Sequence, residues 1–324
     1  MSTAENAKLQ YEAGQNSVAM VALTDSGDHT HYTSAATLWS SRSGYAPVVR
    51  PNGLLTGGAC TFTAVNNQVS AAALTCNLAG VVASVGAGTA AITRPATAVA
   101  KINSLTVNSS GALAMVAGTD STTTDFSEVR AAAGGPPLIP VGSIEIAQVR
   151  VTVDTAAPLT AAQIFQVVGL HQERADFPLY DVNYGTGGVT FLAANPLIHT
   201  GVITKGVYAS YASPLFADVA LASDFVPPET SHSITSTQVY GTTIGSTAST
   251  LNQGTFTAYL QNGVGDPMVS LKNATLWFKF FPDRYAADYI LTQGKLGIAR
   301  TFPAGDQIQA ACTISASSAA QEVA

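Results

Sequence analysis

Charge is what this sequence has least of. Asp, Glu, Lys and Arg make up 10% of its 324 residues, against roughly 25% in an average soluble domain. Such a surface is neutral and hydroxyl-rich, and chains of this kind spend it on neighbours, as shells, tubes and fibres do. There is no run of Lys or Arg, and the net charge is −6. A nucleic-acid binder needs clustered cations to displace counterions from phosphate, so this class is set aside. Cysteine is scarce as well. Cys60, Cys76 and Cys312 have no metal-binding spacing and read as small core residues in a reducing compartment. A bond between Cys60 and Cys76, which flank a candidate hairpin, and bonds between subunits stay open. Long apolar runs are missing: residues 81–92 are short for a membrane helix and broken by Gly86 and Gly88. Residues 1–8 lack a basic start leading into an apolar run, so no leader is expected, and the chain is expected to be made in a cytoplasm. Gly57-Gly58 is followed by no Lys and Ser/Thr in a strand–loop–helix setting, which excludes a phosphate loop there.

What is present is alternation, clearest in residues 271–315. Ala274, Leu276, Phe278 and Phe280 fall on one face of a first run, with Asn273, Thr275, Trp277 and Lys279 on the other. Residues 289–301 set Ile290, Leu296 and Ile298 against Gln293 and Lys295. Residues 307–314 set Ile308, Ala310, Cys312 and Ile314 against Gln307, Gln309 and Thr313. Pro and Gly punctuate the gaps, and a period of two with such punctuation means half-buried antiparallel strands.

The same stretch carries a resemblance. Trp277-Phe278-Lys279-Phe280-Phe281-Pro282-Asp283-Arg284, Tyr289-Ile290-Leu291-Thr292-Gln293-Gly294 and Thr301-Phe302-Pro303-Ala304-Gly305-Asp306 together resemble the end of a bacteriophage tail tube protein. The likeness lies in strand order, turns and composition over about the last hundred residues, and no residue in it does chemistry. It implies a β-sandwich or barrel with a flanking helix, assembled six to a ring and stacked ring on ring. Joined inner hairpins would line a conduit through which the genome passes without specific binding. Sheath, baseplate and tail terminator proteins are the further partners it implies, and the virion tail is the location. A mildly acidic wall would not hold phosphates.

Earlier in the chain, residues 2–13 are expected to form a short helix, with Ser2 and Glu5 as a capping box, and 18–23 a strand. Residues 40–59 read as a linker or extended arm. Residues 59–154 contain many short strands, at 61–65, 68–74, 80–85, 90–93, 98–107, 113–117 and 143–153, which suggests a second small β-sandwich module, expected to face outward. An Ala- and Gly-rich loop over 81–100 is an equal reading. Thr160 and Gln163 predict a short helix over 161–167. Strands resume at 189–193, 206–211, 233–240 and 255–260, and the polar run 241–254 reads as a loop that orders on assembly, or as a hairpin tip at an interface. The expected fold is therefore all-β and mainly antiparallel, divided as 1–58 strand and arm, 59–154 module and 155–324 tube-like domain.

Two segments look chemical. Asp25, Asp28, His29 and His31 are candidate metal ligands, since alternate residues of a strand face one way. No third strong ligand group stands nearby, and Asp-Ser-Gly-Asp is ordinary turn chemistry. His171 with Glu173 or Asp176 is a candidate acid–base pair, yet no Ser or Cys nucleophile has the strand–turn–helix setting it needs. A solvated or intersubunit ion pair is the preferred reading of that cluster. A structural protein without enzymatic activity or cofactor is expected. Another virion part (capsid decoration, baseplate or fibre) and a secreted surface-layer or adhesive protein are the alternatives.

Overall fold

The computed structural model describes residues 5–166, 180–199, 203–219, 221–262 and 265–324. Its regular structure is nearly all strand, and the strand pairings whose register is described are antiparallel. Several separate sheets form, and among the described residues none closes into a barrel. The chain falls into two compact units, Met1–Ser17 with Trp39–Ala46 and Ala212–Ala324, and Val18–Leu38 with Pro47–Tyr211. The 59–154 segment lies inside the second.

In the first unit the strands run in the order Ala222–Val226, Gly254–Tyr259, Gln309–Ala316, Tyr289–Thr301, Thr275–Phe280, Ala7–Ala22. The Gln321–Val323 strand pairs with the start of Tyr289–Thr301. The alternation read from the sequence is what packs this sheet. Leu276, Phe278, Leu296, Ala310, Cys312 and Ile314 are buried in one cluster with Phe256 and Leu9. Burying the Leu, Ile and Phe side chains among these is worth about 1.5–3 kcal/mol each. Phe225 stacks on Phe280 at 4.4 Å and Phe256 on Phe278 at 4.8 Å.

Over the described part of residues 2–13 the expected helix is not what forms, and its Ser2 cap lies outside the described residues. Residues 7–13 belong to the Ala7–Ala22 strand, in which Ala7 and Leu9 are buried against Phe280 and Phe278. A local capping signal is worth about 1 kcal/mol, less than the burial gained by adding this strand to the sheet. The expected strand at 18–23 is the far end of the same element.

Trp277 is a second correction. Its expected polar face is covered at this point: Trp277 is buried and its Nε1 donates to the carbonyl of Trp39 at 2.9 Å. Gln10 lies in the same layer, giving its Nε2 to Ser40 Oγ at 2.7 Å and taking the Trp277 backbone N–H on Oε1 at 3.0 Å. Trp39 and Ser40 thus cover part of the sheet's other face, and each of these polar groups is bonded.

The second unit holds small sheets around its own core. Lys101–Val107 is its most central strand, buried at all seven positions, between Leu113–Ala117 and Ile144–Val151. Leu105, Val107, Ile144, Val149 and Val151 pack with Val69, Leu74 and Cys76 from neighbouring strands. Residues 81–85 and 88–91 form strands, so the loop reading of 81–100 fails over its first half, while residues 92–100 form no strand. Residues 48–51 and 53–57 are also strands, pairing with Val207–Ser210 and with Leu74–Asn77, rather than an arm. Thr160 does cap a turn, its backbone N–H bonded to Gln163 Oε1 at 2.9 Å. One turn of 3-10 helix results, and residues 164–166 continue as strand.

All three cysteines are free. Burial pushes the Cys60 thiol up to about 11 and the Cys312 thiol up to about 12, and raises that of Cys76. A thiol with a pKa of 11 or above has about a thousandth or less of its population as nucleophilic thiolate at pH 8. Native protein should therefore take up almost no iodoacetamide at pH 8, and all three thiols should react once urea unfolds it. Rapid labelling of Cys312 in the folded state would contradict its place in the core.

Candidate functional site

The turn from Asp25 to His31 divides its four candidate metal ligands into two separate pairs. Asp25 Oδ2 meets His29 Nδ1 at 2.7 Å, and Asp28 Oδ2 meets His31 Nδ1. The remaining capacity of both carboxylates goes to the turn itself. Asp25 Oδ1 accepts from the backbone N–H of Gly27 and of His29, and Asp28 Oδ1 from that of Thr30 and of His31. Thr204 Oγ1 adds a bond to Asp25 Oδ2 at 3.1 Å. Burial pushes the Asp25 carboxyl up, but the bonds from His29, Gly27 and Thr204 outweigh it and hold it below the usual range. The N–H and ring of His31 hold Asp28 well below that range too. Both carboxylates therefore serve to close a turn in which His29 has a φ of 61°. Among the described residues no group of three or more His, Cys, Asp or Glu is placed to share a metal ion. His171, Glu173 and Asp176 lie outside the described residues.

A pocket of about 660 Å³ opens in the first unit, lined by Leu9, Val219, Leu260 and Met268 with Asp218 and Asp266. Both acids are engaged. Asp218 pairs with Lys8 at 2.6 Å, and Asp266 caps the Pro267–Ser270 helix through the Met268 N–H at 3.0 Å. No His, Cys, Lys or Arg stands among its described lining residues. The nucleophile–base geometry that a hydrolytic site needs is not assembled there.

The most unusual surface is a hairpin. Thr230–Val239 and Thr242–Leu251 pair over ten consecutive positions and turn at Tyr240-Gly241, where Gly241 supplies a φ of 86°. Every described side chain from Thr230 to Thr250 is exposed. Ile234, Val239, Ile244 and the whole Tyr240 ring are open to solvent. The segment contains no Asp, Glu, Lys or Arg. A lone two-stranded hairpin is marginal in water, and three strands or a packed face are needed for independent stability. Long flat edges without charge, Pro or bulges are templates for pairing with another chain. Natural monomers blunt such edges, and this one does not.

The first strand of the hairpin is legible in the sequence, whereas the second falls in the polar run 241–254, for which a loop and a hairpin tip are both open readings and of which the structure shows a hairpin strand at Thr242–Leu251. Gly241 between two Thr-rich runs is the local mark of the turn, with β-branched residues on both sides. No known protein family, characterised protein or solved structure matches the chain.

Proposed function

We propose that the chain is a virion structural protein, a subunit of a bacteriophage tail tube that assembles into stacked rings around a conduit for the genome. The uncovered hairpin from Thr230 to Leu251 is the observation that carries this reading. Its ten-pair ladder has two unpaired edges and no charge to keep other strands away, which is the form expected of an element that completes its sheet in a neighbouring subunit. The all-antiparallel architecture and the sparse charge support the same reading. So does the likeness of residues 277–306 to the end of tail tube proteins. In this reading the chain has no catalytic role and needs no cofactor, and genome DNA passes without being held. No described helix is long and apolar enough to cross a membrane, and the proposed location is the virion tail.

Negative-stain electron microscopy across protein concentration, with light scattering beside it, tests the reading. Hollow rings or uniform tubes are expected. A discrete monomer or dimer at high concentration would sink it, and flat calcium-dependent sheets would point to a surface-layer protein instead.

A further inference from the structure

On the sheet of the first unit two lysines face each other. Lys8 and Lys279 are direct partners across the strand pair Ala7–Leu9 and Phe278–Phe280. Like charges in this position repel, and native sheets set opposite charges there. One of the two is neutralised, since Lys8 Nζ lies 2.6 Å from Asp218 Oδ1. Lys279 is held differently. Its Nζ lies 4.5 Å from the ring centre of Phe216 and 4.4 Å from that of Tyr289. Among the described residues no carboxylate reaches it. The half-buried ammonium is thus oriented by two aromatic faces, which attract a cation without cancelling its charge. Burial, and then the charge of Lys8, hold the Lys279 amine below its ordinary pKa, the mark of an ammonium short of counter-charge.

The cluster of Lys8, Lys279 and Asp218 carries one positive charge too many in a chain whose net charge is −6. We propose that Lys279 is a docking site for a carboxylate of a second copy of this chain, which would sit between the two lysines with the rings of Phe216 and Tyr289 beside it. The occupant follows from charge: acids outnumber bases 20 to 14, so a neighbouring copy is an anionic partner. A pair of lysines without further cations is too little to hold a nucleic-acid backbone. The proposal rests on the self-assembly argued above.

The test uses zero-length cross-linking. Unlabelled and nitrogen-15-labelled chains are mixed before assembly and treated with a water-soluble carbodiimide, which joins an amine to a carboxylate only where the two touch. Mass spectrometry should find Lys279 joined to an Asp or Glu in pairs that combine a labelled and an unlabelled peptide. Lys279→Gln should raise the protein concentration needed for assembly by about tenfold or more, and Lys279→Arg should restore most of the loss. The unassembled Lys279→Gln chain should melt no lower than the parent, because a costly half-buried charge is gone. That separates a docking defect from a folding one. Assembly with Lys279 unlinked, or linked only to Asp218 of its own chain, would overturn the proposal and leave the tube reading standing. So would normal assembly of Lys279→Gln. A chain that never assembles would overturn both.

Discussion

Replacing Glu145 by alanine is expected to destabilise the second unit by about 3–5 kcal/mol, a large fraction of what holds a domain folded. Glu145 is fully buried on the Ile144–Val151 strand. Its Oε2 receives Arg130 Nη2 at 2.5 Å, and its Oε1 receives Ser104 Oγ at 2.5 Å and Gln148 Nε2 at 3.3 Å. Arg130 is itself 8% exposed and gives its Nη1 to the carbonyl of Pro137 at 2.6 Å. The network thus ties the irregular stretch 118–143 to the sheet beneath it. Removing the carboxylate takes from the buried guanidinium an acceptor of opposite charge, and Ser104 and Gln148 lose an acceptor as well. Urea unfolding of the Glu145→Ala chain measures the loss. The paired replacement Glu145→Leu with Arg130→Met should recover much of it, because no buried charge is left behind. A loss below about 1 kcal/mol in the single variant would mean that water reaches the pair and that the network does not hold the stretch down.

Glu145 also shows what a sequence of this kind conceals. Residues 143–153 read as one of the short strands of the 59–154 module, and the structure places a strand at Ile144–Val151. Nothing local says that an acid inside that strand is buried, because its partner Arg130 sits in a stretch with no periodic pattern. A register shift between Leu105 and Thr106 sets Glu145 opposite Thr106, and such bulges leave no mark in composition. The closing strands are legible for the opposite reason. Their apolar and polar residues alternate cleanly, and the Tyr289–Thr301 strand begins and ends where its turn residues say. The first strand is hidden because its partner, Phe278–Phe280, lies some 270 positions further along the chain, and only the assembled sheet makes residues 7–9 extended. A period of two puts Trp277 on an open face, yet it is roofed by Trp39, 238 residues earlier. Short-range pattern finds strands and their inner faces, while what covers the outer face is a long-range fact.

The candidate surfaces follow the same logic in reverse. Asp25, Asp28, His29 and His31 have the residue types of a metal site, and the structure spends them on closing a turn. The hairpin is quieter in sequence, because Thr, Ser and Gly carry no chemistry. Its meaning is topological: ten paired residues on each side whose described side chains are exposed from Thr230 to Thr250.

Cutting away that hairpin is expected to abolish assembly while leaving the fold intact. Replacing residues 230–251 by a short Gly-Ser loop removes strands whose described side chains are exposed up to Thr250, so the core of the first unit loses almost no apolar burial. The neighbouring strands are anchored independently. Gly254–Tyr259 pairs with Gln309–Ala316, and the Ala320 N–H bonds the carbonyl of Pro228 at 2.8 Å. The melting temperature of the shortened chain should lie within a few degrees of the parent, since exposed surface changes are usually worth about 0.5 kcal/mol or less. Light scattering should show no particles at any concentration at which the parent forms them. A gentler variant separates edge pairing from simple bulk. Thr235→Lys with Thr247→Lys puts charges on both edges of the ladder, the device by which natural edge strands refuse partners, and should reduce assembly steeply at low salt, with partial recovery at high salt. If the shortened chain still formed rings or tubes, the hairpin would be a bystander. Assembly would then have to run through other surfaces, the Lys279 cluster first among them.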